Sequence, residues 1–194
     1  MQHEVIKMLI DQDTKPFPLI EFKLIRWVHF LIKSERQIRD EKGVEHILKY
    51  ALIGRLGTSY DGQPYIVPVN FVYHKGKIFI HGARKGKKIS NITSNPKVCF
   101  EVDEGEIVAR DRPCNFTMRY SSVVALGEAK ITTDPDEMLE ALKLLTEKYS
   151  SKRLSRQLTK ESIAEFKDLA VIEISISEVT GKRNMPESSG LNPL

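Results

Sequence analysis

Only two cysteines, Cys99 and Cys114, occur in the 194-residue chain, and neither has a Cys or His neighbour at metal-ligand spacing. A disulfide-stapled scaffold and a zinc site are therefore not expected. Cys99 alternates with Val98 and Phe100 in a strand-like run and reads as a small hydrophobe. Apolar runs are equally scarce. The most apolar N-terminal piece, residues 19–32, is interrupted by Glu21, Lys23, Arg26 and His29, too short and too charged to cross a bilayer. The basic start, apolar centre and small-residue cleavage site of a signal peptide are also missing, so a cytoplasmic protein is expected. The sequons at Asn91 and Asn115 then read as chance matches. No Gly-x-Gly-x-x-Gly follows a strand pattern and there is no Walker lysine motif, so any bound phosphate needs a different device. No internal repeat is present.

What remains is ordinary globular material, 41% hydrophobic and 29% charged, enough for one sizeable core. One absence inside it is informative. Between Lys75 and Lys97 there is no Asp or Glu but seven basic residues (Lys75, Lys77, Arg84, Lys85, Lys87, Lys88 and Lys97), against a net charge of +4 for the whole chain. The rest of the molecule is therefore net acidic. Such a field needs an anionic partner or a solvated face. Residues 77–81 read as a short strand and 87–94 as a short helix stopped by Asn95-Pro96, with a glycine-bracketed turn between them. Lysines beside a helix start, with its unpaired N–H groups, make a phosphate cradle; a wet lysine-rich turn is the plainer alternative.

Along the chain, residues 1–38 read as an extension with an amphipathic piece around Leu24, Ile25, Val28 and Leu31, residues 39–183 as one domain, and 184–194 as a disordered tail. Val44, Ile47, Leu48 and Ala51 predict a helix, followed by a strand over 53–58. Asp61-Gly62 and the His74–Gly76 segment mark hairpins around a strand over 65–73, in which Pro68 requires an edge or an irregularity. Strands over 97–103 and 120–130 flank an acidic stretch, 101–111, expected to be irregular. Asp134, Pro135 and Glu137 open a helix with Met138, Leu139, Leu142, Leu145 and Tyr149 on its apolar face. A basic loop over 150–160, a short helix over 161–167 and a last strand over 169–179 complete the pattern. About six strands with inserted helices predict a mainly β protein, a small antiparallel barrel.

Gly54–Thr58, Gly62–Phe71, Ile80–Ala83 with Gly86–Ile89, Asn95–Val102, Tyr120–Ala129 and Ile176–Arg183 together resemble the flavin-binding split-barrel family. Within it the chain is similar to the nitroimidazole-resistance (Nim) type of pyridoxamine 5'-phosphate oxidase relatives. The likeness runs in consistent order over roughly residues 36–183. It implies a homodimer of six-stranded antiparallel split β-barrels, with FMN at the subunit interface; no metal is expected from the residue spacing. The Val67, Pro68, Val69, Asn70 and Phe71 backbone would lie along the isoalloxazine ring, with Asn70 bonding its polar edge. His81 and Gly82 would line the ring or ribityl chain, and Lys87 and Lys88 would hold the phosphate. Ser122 falls where the oxidase has a flavin-touching glutamine, and Tyr120 and Ser121 would lie nearby, from the other subunit.

The implied activity is that of an FMN-dependent oxidoreductase acting on a small, nitroaromatic-type acceptor. His81 is the catalytic candidate, as a proton donor beside the flavin; a packed or capped strand-end histidine is the alternative. The oxidase's arginine-rich end and tryptophan are replaced here by Thr180-Gly181-Lys182-Arg183, which argues against pyridoxamine-phosphate oxidase activity itself. A flavin store or sensor, or a haem-binding module, is the competing class. Phe79 is the one aromatic between Lys75 and Lys97, too few for a nucleic-acid stacking platform.

Overall fold

The computed structural model describes residues 33–109 and 116–185. The expectations for the Leu24–Leu31 piece, for Cys114 and for residues 186–194 lie outside the described residues. After a 3-10 turn at Ser34–Arg36 the elements are β1 (Gln37–Ile38), α1 (Glu41–Tyr50), β2 (Gly54–Tyr60), β3 (Gln63–Val69), β4 (Val72–His74), β5 (Lys77–Ala83), α2 (Lys87–Ser94), β6 (Lys97–Val108), β7 (Thr117–Thr132), α3 (Pro135–Tyr149), α4 (Lys152–Ser155), α5 (Lys160–Ala164) and β8 (Leu169–Asn184). The strands form one antiparallel sheet in the order β3-β2-β6-β7-β8-β5-β4, with β1 added to β8.

β3 and β4 stand at opposite ends of that order, yet only Asn70 and Phe71 separate them in the chain. Two linking residues reach roughly 11 Å at most, so the two edges are held close and the sheet must curl on itself. The period-2 pattern supplies the filling. Leu56, Ile78, Ile80, Phe100, Val102, Val123 and Ile174 are fully enclosed, while their strand neighbours lie on the opposite face, and Phe71 joins them from the link between β3 and β4. Each such side chain contributes about 1.5–3 kcal/mol through burial. Inside the curl the Phe71 and Phe100 rings meet edge to face, 4.8 Å between centroids.

All six expected strands are present, and the count rises to eight for two reasons. The short β1 pairs with β8 at Lys182 and Gly181. The strand expected over 65–73 is two strands, broken at Asn70–Phe71 and not at Pro68. Pro68 keeps a regular place opposite Arg55, which an end strand tolerates because its lost N–H can point away from β2. The acidic stretch expected to be irregular is instead strand as far as Val108. Cross-strand cations offset its charge: Arg119 lies opposite Glu106 and bonds it at 2.5 Å, and Arg55 bonds Glu101 at 2.8 Å and also Asp103.

The hairpin turns at Asp61–Gly62 and Lys75–Gly76 each place two residues at positive φ (49° and 71°, 49° and 77°), the two-residue form that matches strand twist. Asp134 caps α3, accepting from the amides of Asp136 and Glu137 at 3.0 Å each, with Pro135 in the first position. Glu137 does not complete a capping box. Its carboxylate takes the Lys130 amine at 2.8 and 2.9 Å. Part of the loop expected over 150–160 is helical, because Ser151 caps the single turn of α4 and Thr159 forms a reciprocal capping box with Ser162 to open α5.

Candidate functional site

The start of α2 is built without any side-chain cap. Gly86 precedes it at φ 120°, a conformation open to glycine, and no acidic residue occupies the first turn. The Ser90 amide bonds Gly86 O at 3.1 Å, so the amides of Lys87, Lys88 and Ile89 are the ones a helix start leaves free. The helix itself is pinned from below. Buried Asn91 donates to Thr58 Oγ1 at 3.0 Å, Asn95 donates to the Ser59 carbonyl at 3.1 Å, and Ile92 enters the core. The loop before it is tied to β8 by the Arg84 amide on Asp168 O (3.0 Å) and Arg84 Nε on Leu169 O (2.8 Å).

The basic field seen in the sequence therefore divides. Arg84 serves the loop, Lys77 pairs with Glu173 at 2.7 Å, and Lys87 and Lys88 stand at the helix start. These two lysines diverge, as adjacent helical positions must. Lys87 Nζ lies over the Tyr65 ring of β3, 5.1 Å from its centre. Lys88 Nζ lies against Gly82 of β5, where a Cβ would stand only 2.9 Å from it. The start of α2 thus reaches both β3 and β5, which are far apart in the strand order but drawn together by the curl.

His81 projects from β5 beside this point. Its ring is exposed in area yet crowded enough that burial, and then the Lys88 charge, hold its pKa below the ordinary imidazole value. At neutral pH it is an uncharged imidazole.

Across the β3 end of the sheet, Val69 and Phe71 point into the core, Val67 packs against it, and Pro68 and Asn70 are exposed. Among the described residues β3 pairs only with β2, so alternate backbone groups of this segment face away from the ladder. The structure therefore brings His81, Gly82, Lys87 and Lys88 together and ties them to β3 through Tyr65.

It does not bring Tyr120, Ser121 and Ser122 to them within one chain. Those residues pair with Asn184, Arg183 and Lys182 of β8, whereas His81 pairs with Val171, at least eleven residues earlier on the same strand. At the usual rise that is roughly 36 Å or more measured along the strand. Sequence reasoning also passed over two tyrosines: Tyr65, under Lys87, and Tyr149, whose hydroxyl meets the Phe71 backbone. The available signal was a tyrosine on an otherwise apolar helix face, since a half-buried phenol needs a partner for its hydroxyl.

An open cleft lies on the outer face of β2, β3, β6 and β7, lined by Gly57, Pro64, Ile66, Cys99 and Leu126. Burial, and then Glu101, push the Cys99 thiol pKa up, so it is no activated nucleophile. Among the described residues no group of three or more His, Cys, Asp or Glu side chains gathers as metal ligands. No described helix is long and apolar enough to cross a membrane.

A family model described as pyridoxamine 5'-phosphate oxidase matches residues 40–183. The chain belongs to that family. Solved structures agree with its fold. A candidate 5-nitroimidazole antibiotic resistance protein from Bacteroides thetaiotaomicron is 25% identical, with a TM-score of 0.64 over 75% of this chain and 85% of that one. A flavocytochrome from Azotobacter vinelandii is 22% identical (TM-score 0.66; 84% and 73% covered), and an FAD and heme binding protein from Mycobacterium smegmatis is 18% identical (TM-score 0.68; 80% and 77% covered). The comparison with curated proteins gave no match. In the terms of the oxidase family, the match takes in β2 to β8 and every residue of the α2 cradle.

Proposed function

We propose that this protein binds FMN between two copies of the chain and acts as an oxidoreductase on a small, electron-poor acceptor of the nitroaromatic class. The observation that carries the reading is the uncapped start of α2, with Lys87 directed to β3 and Lys88 to the bare backbone of Gly82. A doubly charged phosphate there accepts from free helix amides and two ammonium groups at once. The missing Cβ of Gly82 leaves the room it needs.

The remaining assignments follow the path from the phosphate. His81 and Gly82 line the ring or ribityl chain, and the open backbone of Val67, Pro68, Val69, Asn70 and Phe71 lies along the isoalloxazine, Pro68 offering a carbonyl only. Tyr120, Ser121 and Ser122 reach the flavin from the partner copy, since roughly 36 Å of strand separates them from His81 in their own chain. Bound FMN supplies the electron transfer; the protein positions it and excludes water. His81 would serve as proton donor to the acceptor in its protonated form, which prevails only on the acid side of neutrality, so turnover should fall as pH rises through its lowered pKa. Similarity to the Bacteroides protein, with its nitroimidazole-resistance description, supports the acceptor class.

The test is the visible spectrum of the purified protein, followed by the mass of the small molecule that heat releases. The two visible bands of an oxidised flavin and the mass of FMN support the reading. A haem spectrum would replace it with a haem-binding module. His81→Ala should retain flavin and lose turnover.

A further inference from the structure

The last residue of α3, Tyr149, has one hydroxyl and three backbone neighbours. It accepts from the Phe71 amide at 2.8 Å and lies 2.8 Å from both the Phe71 and Leu52 carbonyls, to which it donates its single proton in turn. The Asn70 side chain comes within reach of the same oxygen. Asn70 and Phe71 are the two residues that belong to neither β3 nor β4, so they lack a ladder of their own. Tyr149 supplies the partner that a neighbouring strand would otherwise provide. From inside, the same junction is fixed by the enclosed Phe71 ring against Phe100.

We propose that Tyr149 is a positioning residue for the flavin ring: by bonding the Phe71 amide and carbonyl it fixes the course of Asn70–Phe71, and with it the seat of the isoalloxazine. This rests on the flavin reading above and deepens it. The consequence is a division of labour along the ligand. Lys87 and Lys88 act at the phosphate end, so they discriminate FMN from riboflavin. Tyr149 acts at the ring end, so its loss weakens both ligands alike. A tyrosine that merely anchored α3 would lower stability without touching either affinity or the flavin spectrum.

The experiment titrates FMN and riboflavin into the full chain, as wild type, Tyr149→Phe and Ile163→Val, with affinity and bound-flavin absorption read together. Ile163 packs with Met138, Ala141 and Val171 under α3, away from the junction, and serves as the control for stability alone. Tyr149→Phe should weaken FMN and riboflavin by the same factor, about tenfold for one lost backbone tether, and shift the flavin bands. Ile163→Val should leave both affinities and the bands unchanged. Should Tyr149→Phe not fold, 4-aminophenylalanine at position 149 takes its place, keeping the ring and a donor for the carbonyls while losing the acceptor for the Phe71 amide, and giving a smaller loss of the same kind. Wild-type affinities and bands in the Tyr149 variant, or equal losses in Ile163→Val, overturn the positioning role and leave the flavin reading standing. Uptake of neither flavin by the wild-type chain overturns both.

Discussion

The amine of Lys148 lies 3.8 Å above the centre of the Phe71 ring, enclosed and without a hydrogen-bond partner among the described residues. Burial brings its pKa down to about 8, while the negative ring face below favours the charged form. Between about 8 and the ordinary lysine value the unfolded chain holds the extra proton, so stability rises with pH across that window, and the cost of burying the charge is fully felt below it. Lys148→Met should raise stability at pH 7 by about 1 kcal/mol, less than the full linkage value because the Phe71 ring already repays part of the burial. It should also abolish the rise in melting temperature above pH 8. Calorimetry of both proteins from pH 7 to 10 checks this, and a steeper pH dependence in the variant would contradict it.

His81 and Lys88 form a second coupled pair. Burial is the larger cause of the lowered His81 pKa and Lys88 the smaller, so Lys88→Met should raise that pKa without restoring the free-imidazole value. In the wild type the unfolded chain protonates first as pH falls, so this histidine subtracts stability on the acid side of neutrality. In the proposed FMN complex a phosphate dianion between Lys87 and Lys88 would offset the Lys88 charge. Adding FMN should therefore raise the His81 pKa. NMR titration of the imidazole, assigned with a His81→Asn variant, reads all three values.

At Gly54 the geometry leaves no room at all. A Cβ there would overlap the Phe100 ring, which is fully enclosed and cannot swing aside. Gly54→Ala should cost about 1–3 kcal/mol or more, measured by urea unfolding. Gly82→Ala should cost little stability, since the atom it meets is the movable end of Lys88, yet it should displace that amine and weaken FMN more than riboflavin.

The tether beneath α2 makes a separate prediction. Asn91 is 4% exposed and its amide bonds Thr58 Oγ1, so Asn91→Ala leaves a buried hydroxyl short of a partner and costs about 1–3 kcal/mol. Because the same bond orients the helix start, the variant should lose FMN affinity while riboflavin affinity stays within twofold. Asn91→Asp, which keeps an acceptor but places a charge in the core, should be the worse of the two.

Much of the fold was legible because its signals are local. Alternation in Leu56–Thr58 and Val98–Val102, the turn pairs Asp61–Gly62 and Lys75–Gly76, and the Asp134-Pro135 cap each specify structure within a few residues. The α2 cradle was legible too, since its glycine, lysines and strand are contiguous. What escaped depends on distant partners. Glu104–Val108 joins β6 because residues 117–121 lie opposite, and the break at Asn70–Phe71 is bonded by Tyr149, 78 residues away. Pro68 marked β3 as an edge strand, which it is; the interruption falls beyond it, at Asn70–Phe71. The partner of the Glu137 carboxylate escaped for the same reason: it is Lys130, on the neighbouring strand.

The measurement closest to the central claim compares FMN with riboflavin on the wild-type chain and on the Lys87→Gln, Lys88→Gln double variant, at low and high salt. The account predicts that wild type binds FMN at least about tenfold tighter than riboflavin, the worth of one to two charge-assisted hydrogen bonds. That preference should shrink in salt and disappear in the double variant, with riboflavin affinity unchanged throughout. Equal affinity for the two ligands in the wild type, or a preference for FMN that survives loss of both lysines, would contradict a phosphate site at the start of α2.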